Sequence, residues 1–222
     1  MKIKIINSGS DGNAYVVTDK NGSQLLIECG VKINQIIRNI KIDKLQGCII
    51  SHEHKDHSLS KENIIRYGIP VYDESNLSAG KMERISDYKI LPILSEHNVN
   101  CFGFIISVVS ENKKILFVTD SFSIDPKTPD IRYDLAMLEC NYSEEYVSKI
   151  KDMDNEDIGF YNHMSCERLR SWLLNRQYKP KTLCLIHLSN RGNLGAYGLN
   201  NGFTDCCEEL YVAKKDMEFE IL

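Results

Sequence analysis

Polar and apolar positions along this chain alternate in short runs more often than they recur at helical spacing. Lys2 to Ile6, Ala14 to Thr18 and Gln24 to Glu28 are β-rich runs separated by Ser8-Gly-Ser-Asp-Gly-Asn13 and Asp19-Lys-Asn-Gly22, so the first quarter reads as strand, turn, strand, turn, strand. The period then changes. Ile33, Ile36, Ile37 and Ile40 fall at i, i+3, i+4 and i+7, the apolar stripe of an amphipathic helix. A buried strand over Leu45 to Ser51 and a helix near Ser60 to Tyr67 follow. Further strands are predicted at 69–72, 89–94, 102–109, 115–119, 135–138, 182–188 and 217–221, with helices over 143–151 and 166–177. Strand-rich halves interspersed with helices predict two sheets packed face to face with helices outside.

Composition narrows the possibilities. The 222 residues, 42% of them hydrophobic, suit one well-buried core, and residues 1–222 read as a single domain. No apolar stretch approaches the ~20 residues of a membrane span, and the amino terminus has no apolar run of signal-peptide length, so the expected location is the cytoplasm. Eight cysteines without an export signal or a C-x-x-C pair predict reduced thiols and a site built from nitrogen and oxygen donors. The net charge of −4 gives no whole-molecule attraction to nucleic acid. Its distribution is uneven: Arg168, Arg170, Arg176, Lys179, Lys181 and Arg191 have no acid between them, and a solvated face accounts for this run as well as a phosphate-facing one. Arg191 to Asp205 is rich in glycine and asparagine, a composition suited to a mobile lid or an ordinary surface loop.

The chemistry concentrates in histidine. Three of six occupy the hexapeptide His52-Glu-His54-Lys-Asp56-His57, four donors for a first-row metal within a few residues. His97, Asp120 and His187 each sit at the carboxyl end of a predicted strand, where distant parts of the chain can converge on one cavity.

These residues, with Thr119-Asp120-Ser121 and His187-Leu-Ser189, resemble the metallo-β-lactamase fold superfamily. Ser8-Gly-Ser-Asp-Gly-Asn13, Leu138-Glu-Cys-Asn-Tyr142, Asn162-His-Met-Ser165 and His187-Leu-Ser-Asn-Arg-Gly-Asn193 are similar to its YycJ/WalJ branch and, more distantly, to ribonuclease Z. The resemblance implies an αββα sandwich of two mixed sheets with helices on the outer faces. It also implies two divalent metal ions, zinc, manganese or iron. His52, His54 and His97 would hold one, Asp56, His57 and His187 the other, and Asp120 would bridge them. A metal-bridging hydroxide would hydrolyse a phosphodiester, with Asp56 and His163 catalytic and His163 contacting the phosphate or protonating the leaving oxygen. The implied activity is that of a DNA exonuclease; a cyclic-nucleotide phosphodiesterase is the alternative, and a metal-stabilised binding module a third reading. The partners implied are nucleic acid or a cyclic nucleotide, with no membrane and a possible homodimer. One departure stands out: Glu28 occupies a position where the superfamily carries aspartate, so a longer arm must reach the ligand loop.

Overall fold

In the computed structural model, residues 1–150, 162–189 and 202–222 are described. The first sheet runs in the order β13-β1-β2-β3-β4-β5, from β1 (Lys2–Asn7), β2 (Ala14–Thr18), β3 (Gln24–Ile27), β4 (Leu45–Ile49), β5 (Val71–Tyr72) and β13 (Glu218–Glu220). The second runs β12-β11-β10-β9-β8-β7-β6, from β6 (Glu83–Ile85), β7 (Tyr88–Ser95), β8 (Cys101–Val108), β9 (Lys113–Val118), β10 (Leu135–Glu139), β11 (Thr182–Ile186) and β12 (Glu209–Val212). Both sheets are mixed: β3-β4-β5 and β9-β10-β11-β12 pair in parallel, and the other neighbours are antiparallel.

The period-2 geometry of a strand sends alternate side chains to opposite faces, and here both faces are covered. Ile3, Ile5, Tyr15, Val17, Leu25 and Ile27 of the first sheet meet Tyr88, Ile90, Phe104, Phe117, Met137 and Ile186 of the second in a continuous core. On the outer face of the first sheet, Val16, Leu26 and Cys48 pack with Ile36 of α1 (Ile33–Ile37) and Ile64 of α3 (Lys61–Arg66). On the outer face of the second, Leu116, Ala136, Leu138, Leu183 and Leu185 pack with Leu169 and Leu173 of α5 (Cys166–Leu174). The result is the four-layer αββα sandwich.

Several expectations need correcting. The stripe through Ile40 gives a helix that stops at Ile37. The histidine hexapeptide is not all loop: α2 (Lys55–Ser58) begins inside it. The short strands β6 and β12 were not anticipated; both are sheet edges of only three and four residues, and β6 is mostly polar. The thiols are not all reduced, because Cys140 and Cys166, with Cα atoms 5.1 Å apart, form a disulfide while the other six cysteines are free. The helix predicted over 143–151 is α4 (Glu144–Ile150). Most of the Gly/Asn-rich segment, residues 191–201, and Arg191 of the basic run lie outside the described residues. No helix among the described residues is long and apolar enough to cross a membrane.

Gly30 fixes how closely the α2 loop seats. A Cβ at Gly30 would collide with the backbone of the Asp56–His57 peptide, 1.6 Å from the Asp56 carbonyl oxygen. Gly22, by contrast, has open space around it and requires glycine only for its φ of +84°. Gly30→Ala is therefore expected to destabilise by about 3 kcal/mol or more through backbone overpacking. Gly22→Ala should lose only the left-handed preference, about 1–2 kcal/mol. Urea unfolding of the two variants checks the order; equal losses would contradict it.

Candidate metal centre

The site lies where the strands of both sheets end. Glu28 follows β3, residues 52–57 follow β4, His97 follows β7, Asp120 follows β9, Glu139 ends β10 and His187 follows β11. Three of these residues, Glu28, Asp120 and His187, have φ of 61°, 45° and 52°. Such left-handed non-glycine residues cost backbone energy and turn each side chain sharply out of its strand.

Backbone hydrogen bonds lace this edge together. Asn13 N donates to Asp56 O at 2.8 Å, Cys29 N to His57 O at 2.8 Å, and Gly30 N to Asn13 O at 2.8 Å. The two sheets are tied by Phe102 N donating to Ser51 O at 3.0 Å and by His187 N donating to Ser8 Oγ at 2.8 Å.

The structure brings all seven residues of the anticipated ligand set together, in two groups. His52, His54, His97 and Asp120 form one; Asp56, His57, Asp120 and His187 form the other; within each, candidate ligand atoms lie within 4.8 Å of one another. Asp120 is common to both, and also to a third group with Glu139, His163 and His187. Its Oδ2 is 3.6 Å from His52 Nε2, 3.3 Å from His57 Nε2 and 3.9 Å from His97 Nε2, and its Oδ1 is 3.2 Å from His187 Nε2. His97 Nε2 approaches His54 Nδ1 to 3.5 Å, and Asp56 Oδ2 lies 3.3 Å from His57 Nε2 and 3.6 Å from His187 Nε2.

Around these sit residues that set the rings. Ser51 Oγ is 2.9 Å from His52 Nδ1. Glu28, fully buried, accepts from Ser51 N at 3.1 Å with Oε1 and brings Oε2 within 3.5 Å of His57 Nδ1. The longer side chain thus reaches the ligand loop.

Glu139 was not anticipated as a site residue. Its Oε1 lies 2.6 Å from His163 Nδ1 and 3.0 Å from His187 Nδ1, and its Oε2 accepts from Ser121 N at 2.8 Å. The sequence held a signal for it, an acid closing the apolar strand Leu135-Ala-Met-Leu in the same strand-end setting as Asp120. Asn141, whose Nδ2 donates to His187 O at 2.9 Å, is a second such residue. His163 itself stands at the edge with 22% of its side chain exposed, 3.9 Å from Asp120 Oδ1.

The electrostatics follow from this crowding of acids. Burial works against charge on Asp120, yet the neighbouring His187 and His57 hold its carboxyl far below the usual range. Burial also works against charge on His187, but Asp120, Asp56 and Glu139 outweigh it and lift the imidazole to about 10. For His163 the same opposition ends upward, because the Glu139 carboxylate overcomes desolvation. His52 goes the other way: burial and then the adjacent His57 push it down to about 2.

The donor set fits divalent cations. Glu28, Asp120 and Glu139 are buried together beside Asp56, and among the described residues no lysine or arginine pairs with any of the four. Buried carboxylates require positive charge nearby. His52 Nε2 and His187 Nε2 are buried without a hydrogen-bond partner, both within 3.6 Å of Asp120 oxygens. Imidazole nitrogens and carboxylate oxygens without thiolate suit zinc, manganese or iron. Cys101, with its Sγ 3.7 Å from His52 Nδ1, faces the back of that ring, and burial holds its thiol well above the usual range.

No protein-family model matches the chain. Exodeoxyribonuclease WalJ of Streptococcus pneumoniae is 25% identical over 87% of this chain and 83% of its own length. Among solved structures, the metallo-β-lactamase fold protein YhfI of Bacillus subtilis superposes with a TM-score of 0.79 at 18% identity, covering 99% of both chains. The short form of human tRNase Z superposes with a TM-score of 0.68 at 14% identity, covering all of both chains. Sheet order, the αββα layers and these superpositions agree that the chain is a metallo-β-lactamase-fold protein, similar in sequence to WalJ.

Proposed function

We propose that the protein is a dinuclear metal-dependent phosphodiester hydrolase acting on nucleic acid, with DNA hydrolysis of the exonuclease kind as its reaction. The observation that carries this reading is Asp120, a single buried carboxylate shared between two histidine-aspartate groups beside a partly exposed histidine. Similarity to a relative named as an exodeoxyribonuclease supports DNA as the substrate.

In this reading His52, His54 and His97 hold one ion, Asp56, His57 and His187 the other, and Asp120 bridges. A pair of divalent ions supplies activation of water near neutral pH and neutralisation of the charge on the phosphoryl oxygens. The chain contributes position and protons. Asp56, with 26% of its side chain exposed, is the most open carboxylate of the set and is placed to receive a proton at Oδ2 from an attacking water. Glu139 fixes two rings with one oxygen, so that His187 turns Nε2 toward Asp120 while His163 keeps Nε2 for substrate. His163 Nε2 then donates to the leaving oxygen.

Screening the purified protein with zinc or manganese against single- and double-stranded DNA, RNA and cyclic nucleotides tests the substrate. DNA cleavage abolished by chelation is expected. A protein inert toward nucleic acid but active on a cyclic nucleotide would shift the reading to a small-diester hydrolase, and one inert toward every diester would end it in favour of a binding module.

His163→Ala should lower kcat by about 10²-fold or more, the usual range for losing a general acid, while elemental analysis still finds wild-type metal. Loss of metal in that variant would make His163 a ligand instead. Asp120→Ala should lose both metal and turnover, since each group needs its carboxylate.

A further inference from the structure

The basic run from Arg168 to Lys181 divides once its partners are known. Arg170 donates to Gly202 O at 2.8 Å and pairs with Asp205 at 2.6 Å. Arg176 holds the carbonyls of Thr128 and Pro129 and pairs with Asp130 at 3.3 Å. Lys179 Nζ donates to Asp205 O at 3.2 Å, and Lys181 pairs with Asp134 at 2.7 Å. These four cations fasten α5 and the start of β11 to neighbouring loops.

Arg168 is different. Its Cζ lies 3.9 Å from the centre of the Phe122 ring, and its Nε is 3.0 Å from Glu144 Oε1. Its Nη1 is shielded and has no acceptor among the described residues, while 34% of the side chain stays exposed. A charged donor without an acceptor is costly to hold out of water, and an aromatic face beneath a guanidinium fixes its orientation.

The two partners also come from the arms that build the site. Phe122 is two residues beyond Asp120, and its N–H donates at 2.8 Å to the carbonyl of Glu96, next to His97. Arg168 lies in the first turn of α5; its N–H donates at 3.1 Å to the cap Ser165 Oγ, two residues after His163. Phe122 and Arg168 thus follow Asp120 and His163 closely in the chain, and Phe122 is tied to the segment that carries His97, whose ring is 6.0 Å from that of His163.

We propose that Arg168, braced on Phe122, takes the phosphate adjacent to the scissile one and so selects a polynucleotide over an isolated diester. The proposal rests on the nucleic-acid reading above. A dinuclear centre at these residues would engage the scissile phosphate alone. A second phosphate along the strand is what distinguishes DNA from a small diester, and the part-exposed Arg168 side chain carries the charge to meet it. Glu144 pairs with Nε alone, and its Oε1 also accepts from Ser165 Oγ at 2.7 Å.

The test compares a single-stranded oligodeoxynucleotide with bis(p-nitrophenyl) phosphate, which has one phosphate, as substrates of the metal-loaded protein. In Arg168→Gln the ratio of kcat/KM for the oligonucleotide to kcat/KM for the small diester should fall about tenfold, with the loss in oligonucleotide KM. The slope of log KM against log salt for the oligonucleotide should shrink by about 0.7, the contribution of one phosphate contact on a single strand. Phe122→Leu, which leaves the charge but removes its platform, should lower the ratio as well and serves if the glutamine variant does not fold. A ratio and a salt slope that stay at wild-type values would overturn the role of Arg168. A wild-type protein that hydrolyses the small diester and no oligonucleotide would overturn the nucleic-acid reading, and this inference with it.

Discussion

The rest of the structure depends on the burial of acids at one edge of the sandwich. Glu28, Asp120 and Glu139 are withdrawn from water and Asp56 is mostly so, with imidazoles but no lysine or arginine beside them among the described residues. Removing a carboxylate from water costs several kcal/mol unless opposite charge or hydrogen bonds replace the lost solvation. The fold meets part of that cost with Ser51 and Ser121 N–H groups, and the raised affinities of His57, His163 and His187 for protons show how strongly positive charge is wanted there. Divalent cations answer the same demand with more charge in less space.

That demand accounts for features that would otherwise weaken a sandwich. Left-handed backbone at Glu28, Asp120 and His187 is unfavourable, and these residues persist because the strands before them are packed on both faces. Rigid strands hold the candidate ligands in place, while the α2 loop is pressed against Gly30 so that Asp56 and His57 arrive at fixed distances. Glu139 ties two of the rings together, since one oxygen lies within hydrogen-bond reach of both His187 and His163.

The hexapeptide was legible in the sequence because its donors are adjacent, and the strand-end residues because apolar runs stop abruptly before them. The layers were legible for a related reason: β2 and β4 are apolar on both faces, which only covered sheets permit. What remained hidden depends on contacts between distant segments. Glu139 looks like any acid after a strand until His163 folds beside it. The Cys140–Cys166 bond joins residues 26 apart whose proximity exists only after α5 docks on β10. Charge counting left the basic run undecided between a solvated and a phosphate-facing role, because it could not show that four of its described members are spent on local carbonyls and carboxylates. The edge strands β6 and β12, three and four residues long, are too short to announce themselves.

The most direct test is a crystal structure of the zinc-loaded protein with an anomalous difference map at the zinc edge. The account predicts two peaks about 3.5–4 Å apart, one within reach of His52, His54 and His97, the other of Asp56, His57 and His187, with Asp120 between them. A single peak, or an ion held by Glu139 and His163 instead, would contradict it.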